Sequence, residues 1–184
     1  RDQELATLYA CLEKAHQKEG QFVTVVGEAG VGKSRLLYEF RHRLDQENVT
    51  VLQGRCDSYG SDIPYLPFID ALRWELHLKE EDSPAELLEK AVTNIKAIDP
   101  SLEQFIPLYL HLLSIQSDYS LPAHLQGKEL RKAIEQSLVV MITLNTQHRP
   151  MILILEDWHW SDDASQAALK HLIGVTAPYA LMVV

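Results

Sequence analysis

Basic charge is what this sequence has least of. Seventeen Lys and Arg stand against 26 Asp and Glu, a formal net charge of −9, and the basic residues are scattered. A nucleic-acid binder presents a basic stripe, so direct DNA or RNA binding is not expected. Cysteine is scarce too. Cys11 and Cys56 are the only two, and their spacing suits neither a metal site nor a disulfide framework. The remaining histidines, His159 aside, show no pairing at metal-ligand spacing. No apolar run is long enough to span a bilayer, and no signal peptide is visible. The expectation is a cytoplasmic chain with no membrane partner. There is no internal repeat and no low-complexity segment.

What is present is a core. Apolar residues make up 46% of the chain, enough to exclude a disordered segment. The 184 residues suit one domain. The chain opens on Arg1 without a methionine and closes on the apolar run Ala180 to Val184. We therefore expect a domain incomplete at both ends.

Apolar periodicity organises the chain. Leu5, Leu8, Leu12 and Ala15 predict a first helix over residues 1–18, which Gly20 would stop. Phe22 to Val26 predicts a buried strand. Leu36, Leu37, Phe40 and Leu44 predict a helix from Lys33 to about Glu47, and Thr50 to Cys56 a second strand. Asp57 to Pro67 is rich in turn formers. Helical periodicity then runs from Phe68 to about Leu78. It resumes at Pro84 and again after Asp99-Pro100-Ser101, where Pro107 would interrupt it. A long helix is predicted from Gly127 to about Gln147. Met151 to Leu155 predicts a central strand, a helix follows from about Asp163 to Ile173, and Tyr179 to Val184 predicts the last strand. Strands alternating with helices imply an α/β fold with a central, mainly parallel sheet between helical layers. The stretch between strands two and three far exceeds the dozen residues that a crossover needs. Residues 68–147 are therefore expected to be a helical insertion or an enlarged helical layer.

One segment carries chemistry directly. Gly27-Glu28-Ala29-Gly30-Val31-Gly32-Lys33-Ser34 fits the phosphate-binding loop pattern G-x-x-x-x-G-K-[ST] at every position. At average residue usage a chain of this length matches by chance about once in a hundred. The predicted strand before it and helix after it are the context the motif requires. Glycines let the backbone curl closely around phosphate oxygens, and its N–H groups form an anion nest. The N-terminus of the following helix adds its positive dipole end. Lys33 would reach the β- and γ-phosphates, and Ser34 would place its hydroxyl on Mg²⁺. Residues Gly27 to Arg35 are thus the candidate nucleotide-binding set.

In open α/β sheets ligands sit outside the carboxyl ends of the strands. Strand three ends in Glu156 and Asp157. An apolar strand ending in acids, paired with a phosphate loop, is a Walker B arrangement. One acid helps hold Mg²⁺ and the next orients and deprotonates the attacking water. By position Glu156 takes the metal and Asp157 the water, so Ser34, Glu156 and Asp157 are the candidate Mg²⁺ set. Lys33, Glu156 and Asp157 are the candidate catalytic set. The alternative is that the two acids cap backbone N–H groups at the strand end. Asp162 and Asp163 most simply cap the next helix. Trp158, His159 and Trp160 are expected to pack the loop against neighbouring helices, and Cys56 to be structural.

Gly-Glu-Ala-Gly-Val-Gly-Lys-Ser-Arg-Leu-Leu at 27–37 and Glu-Asp-Trp-His-Trp-Ser-Asp-Asp-Ala-Ser at 156–165 resemble the ATPase modules of STAND proteins. These are signal-transduction ATPases of the AAA+-like P-loop group, and the likeness is to modules fused to nucleotide cyclases, protein kinases or LuxR-type regulators. Arg1-Asp2-Gln3-Glu4-Leu5 looks like the tail of that group's N-terminal motif. Arg55 and Pro64-Tyr65-Leu66-Pro67-Phe68 fit the same pattern. The resemblance implies a three-layer P-loop NTPase, truncated before the lid, that binds ATP and Mg²⁺. It implies slow hydrolysis, a nucleotide state used as a switch, and Arg1 and Asp2 near the adenine. Related ATPases commonly carry Asp then Glu where this chain has Glu156 then Asp157, so which acid activates water stays open. Expected partners are ATP or ADP, other domains of the same longer chain, and other copies if the module oligomerises. Competing readings are a non-hydrolysing nucleotide-binding or assembly module, a small-molecule kinase, and a DNA-dependent AAA+ ATPase.

Overall fold

The computed structural model describes residues 1–44, 48–57 and 63–184. The expected helix end near Glu47, and the turn formers Ser58, Gly60, Ser61 and Asp62, lie outside the described residues. Helices α1 (Asp2–His16) and α2 (Lys33–Leu44) flank the short strand β1 (Gln21–Phe22), and β2 (Thr50–Arg55) follows. Next come α3 (Leu66–Glu75), α4 (Pro84–Ile98), a 3-10 turn (Pro100–Phe105), α5 (Ile106–Leu112) and α6 (Gly127–Asn145). The chain closes with β3 (Met151–Glu156), a 3-10 turn at Trp158–Trp160, α7 (Asp163–Val175) and β4 (Leu181–Val183).

The four strands form one parallel sheet in the order β1-β4-β3-β2. β3 is central, as its solid apolar run requires, and every residue from Met151 to Leu155 is buried. Alternation along the strands separates two cores. Ile152, Ile154 and Met182 face α1 and α2, where Leu5, Leu8, Leu12, Leu36, Leu37, Phe40 and Leu44 close over them. Leu52, Met151, Leu153, Leu155, Leu181 and Val183 face the other way and share one core with α3 to α7. The result is the three-layer α/β arrangement of a P-loop NTPase.

Strand one departs from expectation. Its ladder covers only Gln21 and Phe22, in register with Met182 and Val183, and a last bond runs from Val23 N–H to the Val183 carbonyl at 2.8 Å. Continuing that register puts Val184 beside Val23 and no described backbone beside Thr24 to Val26. Among the described strands β1 is the outermost; Val23 and Val25 pack inward while Phe22 and Val26 are 50% and 86% exposed. The strand is half-covered, not buried.

Gly20 does not stop α1. Lys18 does, in the left-handed region at φ 61°, with its N–H on the Ala15 carbonyl at 2.9 Å. Gly20 is needed for a different reason: a Cβ there would stand 2.1 Å from the Thr176 carbonyl oxygen. Two prolines also differ from their expected roles. Pro67 lies in the first turn of α3, which starts at Leu66, and Pro107 opens α5, where a missing N–H costs no helical bond. α4 carries a full capping box: the Ser83 hydroxyl accepts from Glu86 N–H, and the Glu86 carboxylate accepts from Ser83 N–H at 2.8 Å. Among the described residues no helix is long and apolar enough to cross a membrane.

Candidate functional site

Parallel pairing brings all four carboxyl ends to one edge of the sheet. The loop after β1 and the acids after β3 therefore share that edge, with β4 between them. Two inter-strand spacings separate the two lines of chain, about 10 Å. The sequence placed both features at strand ends but gave no sign that β4 enters between them.

Residues 27–31 of the loop are exposed, and α2 starts at Lys33. Gly30 and Gly32 have φ of 79° and 95°, a region that side chains with a Cβ enter at a cost. The Lys33 ammonium crosses the loop, donating to the Gly27 carbonyl at 2.8 Å and the Glu28 carbonyl at 3.1 Å. A second cation lies on the loop: Arg1 donates from Nη2 to the Val31 carbonyl at 2.7 Å and covers Gly32. Arg35 turns away from the loop and pairs with Glu39 one helical turn on, at 2.6 Å. That contact holds the Glu39 carboxyl below its usual range, chiefly through the hydrogen bond from Arg35.

At the end of β3 the backbone turns sharply. Asp157 sits in the left-handed region (φ 55°, ψ 36°), where aspartate is tolerated better than most residues. The turn lets the 3-10 segment Trp158–Trp160 leave the sheet. The Asp157 carboxylate accepts from Arg55 Nε at 3.2 Å, an ion pair across the ends of β2 and β3. Glu156 is tied separately: one carboxylate oxygen accepts from the Gln53 side-chain amide, whose own oxygen accepts from Arg41 on α2. Trp158 packs against the large core, but Trp160 is 46% exposed beside His159, so the three rings do not all pack inward.

Other acids crowd the same edge. Asp70 of α3 lies near the Arg55 N–H at 3.4 Å, and burial raises its carboxyl above the usual range. Asp162 caps α7, accepting from Ala164 N–H and Ser165 N–H, each at 2.9 Å, and from the Ser165 hydroxyl. The capping role expected of Asp162 is what the structure gives it. Cys56 is buried beneath this group. Burial first, then the charges of Asp162, Asp157, Asp70 and Asp57, push its thiol up to about 11. It is a packing residue, not a nucleophile. Among the described residues no cluster of three or more His, Cys, Asp or Glu could hold a metal ion unaided.

The AAA ATPase domain family matches residues 1–184. The chain belongs to that family. It is a P-loop ATPase module of the AAA type, and ATP binding and hydrolysis are the chemistry of such domains. A curated relative, uncharacterized protein R02095 of Rhizobium meliloti (strain 1021), is 24% identical over 186 residues. That match takes in 100% of this chain and 18% of the relative's length. No solved structure matches.

The sequence reading put the loop and the two acids at the carboxyl ends of strands, and that is where they lie. It missed Gln53 and Arg41, although a glutamine inside a predicted strand next to an acid-ended strand was a usable signal.

Proposed function

We propose that this module binds Mg-ATP, hydrolyses it slowly, and uses its nucleotide state as a switch within a longer signalling protein of the STAND type. The observation that carries the reading is the loop itself. Glycines with positive φ, exposed backbone and a lysine spanning two loop carbonyls stand at the start of α2, on the sheet edge that also carries Glu156 and Asp157. These residues fit a magnesium nucleotide, since the loop supplies N–H donors and cations for phosphate and Ser34 and Glu156 supply hard oxygen.

Residues 27–35 would hold the nucleotide, with Lys33 on phosphate. Mg²⁺ held by Ser34 and Glu156, with Asp157 close by, would neutralise charge on the phosphate oxygens. Asp157 would accept the proton of the attacking water at its carboxylate. Arg55 holds that carboxylate in place and also engages it, which favours a second reading: a module that retains nucleotide with little or no turnover. The partners we propose are ATP or ADP and other domains of the same protein, in the cytoplasm, with no direct nucleic acid.

The test is nucleotide binding by the full-length protein. Lys33→Ala removes the loop's spanning cation and should abolish binding; undiminished binding would sink the assignment. Phosphate release that is lost on Asp157→Asn would exclude the non-hydrolysing reading.

A further inference from the structure

We propose that Gln53 is a positioning residue for the Glu156 carboxylate, and that Arg41 sets the orientation in which Gln53 does this. The inference rests on the Mg-ATP reading above. β2 and β3 pair with Gln53 opposite Ile154 and Arg55 opposite Glu156. Side chains alternate, so Val51, Gln53 and Arg55 share one face of β2, and Ile152, Ile154 and Glu156 share the same face of β3. That face is the one α2 covers. The chain of contacts runs across it: Arg41 Nη1 donates to Gln53 Oε1, and Gln53 Nε2 donates to Glu156 Oε1. All three side chains are partly buried.

The chemistry fixes the direction of this relay. A guanidinium only donates, so it can engage only the oxygen of the Gln53 amide. The NH₂ group is thereby turned toward Glu156, which as a carboxylate only accepts. One carboxylate oxygen is held, and the other is left for a metal ion or its water. Glu156 loses rotamer freedom that it would otherwise surrender on metal binding. Arg41 lies eight positions along the helix that Lys33 begins, about 12 Å. The relay therefore ties the β3 end to the same rigid element whose first turn carries Ser34. The two protein oxygens assigned to Mg²⁺ would keep a fixed separation. Outer-shell partners of ligating carboxylates commonly alter metal affinity by about 10- to 100-fold when removed.

The experiment follows binding of a fluorescent ATP analogue to the full-length protein, in EDTA and across a Mg²⁺ titration. Gln53→Met keeps the length of the side chain and removes the donor. The Mg²⁺ concentration at half-effect should rise about tenfold, with binding in EDTA unchanged. Arg41→Met leaves Gln53 in place without its orienting partner and should raise the Mg²⁺ midpoint by a smaller factor. It also keeps the proposal testable if Gln53→Met folds poorly. An unchanged midpoint in both variants overturns the positioning role, as does an equal loss of binding with and without Mg²⁺. Lys33→Ala separates the two levels. If it abolishes binding while the Gln53 and Arg41 variants behave as wild type, only the relay fails. If it leaves binding intact, the nucleotide reading itself fails.

Discussion

Gly54, the glycine of β2, should not accept a side chain, and the reason can be worked from distances. A Cβ at this position would stand 1.9 Å from the Pro67 carbonyl oxygen, 2.6 Å from its carbonyl carbon and 2.9 Å from its Cα. All three are backbone atoms in the first turn of α3, so no side chain can swing aside. Ordinary contact needs the helix start to retreat by more than 1 Å, and Pro67 and Phe68 beside it are buried. Overpacking of this kind costs about 1–3 kcal/mol. Alanine recovers about 0.5–1 kcal/mol of unfolded-state entropy, which leaves a net loss on the order of 1–2 kcal/mol. At about 2–4 °C per kcal/mol for a chain of this size, the melting temperature should fall by roughly 2–8 °C. Gly174 in α7 is the internal comparison. It is exposed, a Cβ there meets nothing within 4 Å, and Gly174→Ala should stabilise by about 0.5–1 kcal/mol. Paired thermal melts of the two variants decide the matter. A Gly54→Ala protein as stable as wild type, or a pair that shifts in the same direction, would refute the close-approach argument.

Asp162→Ala should cost more than an ordinary cap, about 2–4 kcal/mol, because it removes two N–H acceptors and also strands the fully buried Ser165 hydroxyl. Urea unfolding checks this, and Asp162→Asn, which keeps an acceptor, should lose less than half as much. With its pKa raised to about 11, Cys56 should label with a thiol reagent at pH 8.5 about a hundredfold more slowly than in unfolded protein. Because the folded-state value is the higher one, the associated stability is complete below the ordinary thiol pKa. It is lost as pH rises toward 11. Labelling at the same rate in folded and urea-unfolded protein would contradict the placement.

The loop and the acids could be read because each is a local pattern with a required neighbour: strand before, helix after, or apolar run before. The rule that ligands gather at strand ends then joined them without knowledge of strand order. What escaped depended on contacts distant in sequence. Gln53 and Glu156 are 103 positions apart, and only the register of β2 on β3 shows that they share a face. Gly20 was misread because a glycine after a helix usually ends it, whereas here Lys18 does so and the close approach of Thr176 fixes the glycine. Phe22 to Val26 looked buried because apolar content does not show how many sides of a strand are covered. The covering helices, α1 and α2, lie on one side only.

Strands β2 and β3 show how a core sheet delivers charged groups to its rim. On the α2 face, β2 reads Val51, Gln53, Arg55 and β3 reads Ile152, Ile154, Glu156, each passing from apolar to charged toward the carboxyl end. On the opposite face β2 reads Leu52, Gly54, with Cys56 directly after it, and β3 reads Leu153, Leu155, apolar throughout apart from the glycine that admits α3. A polar group carried into such a face costs free energy unless it is met by a partner. Here each is met: Gln53 stands between Arg41 and Glu156, and Arg55 pairs with Asp157. The two acids are thus secured by different strand-two residues, one through a neutral amide and one through a guanidinium. The partner of Glu156 is a neutral donor, whereas the partner of Asp157 is a cation. In the Mg-ATP reading proposed above, Glu156 is the acid assigned to Mg²⁺ and Asp157 the one assigned to water, and the Arg55 contact is what the Asp157→Asn comparison has to weigh.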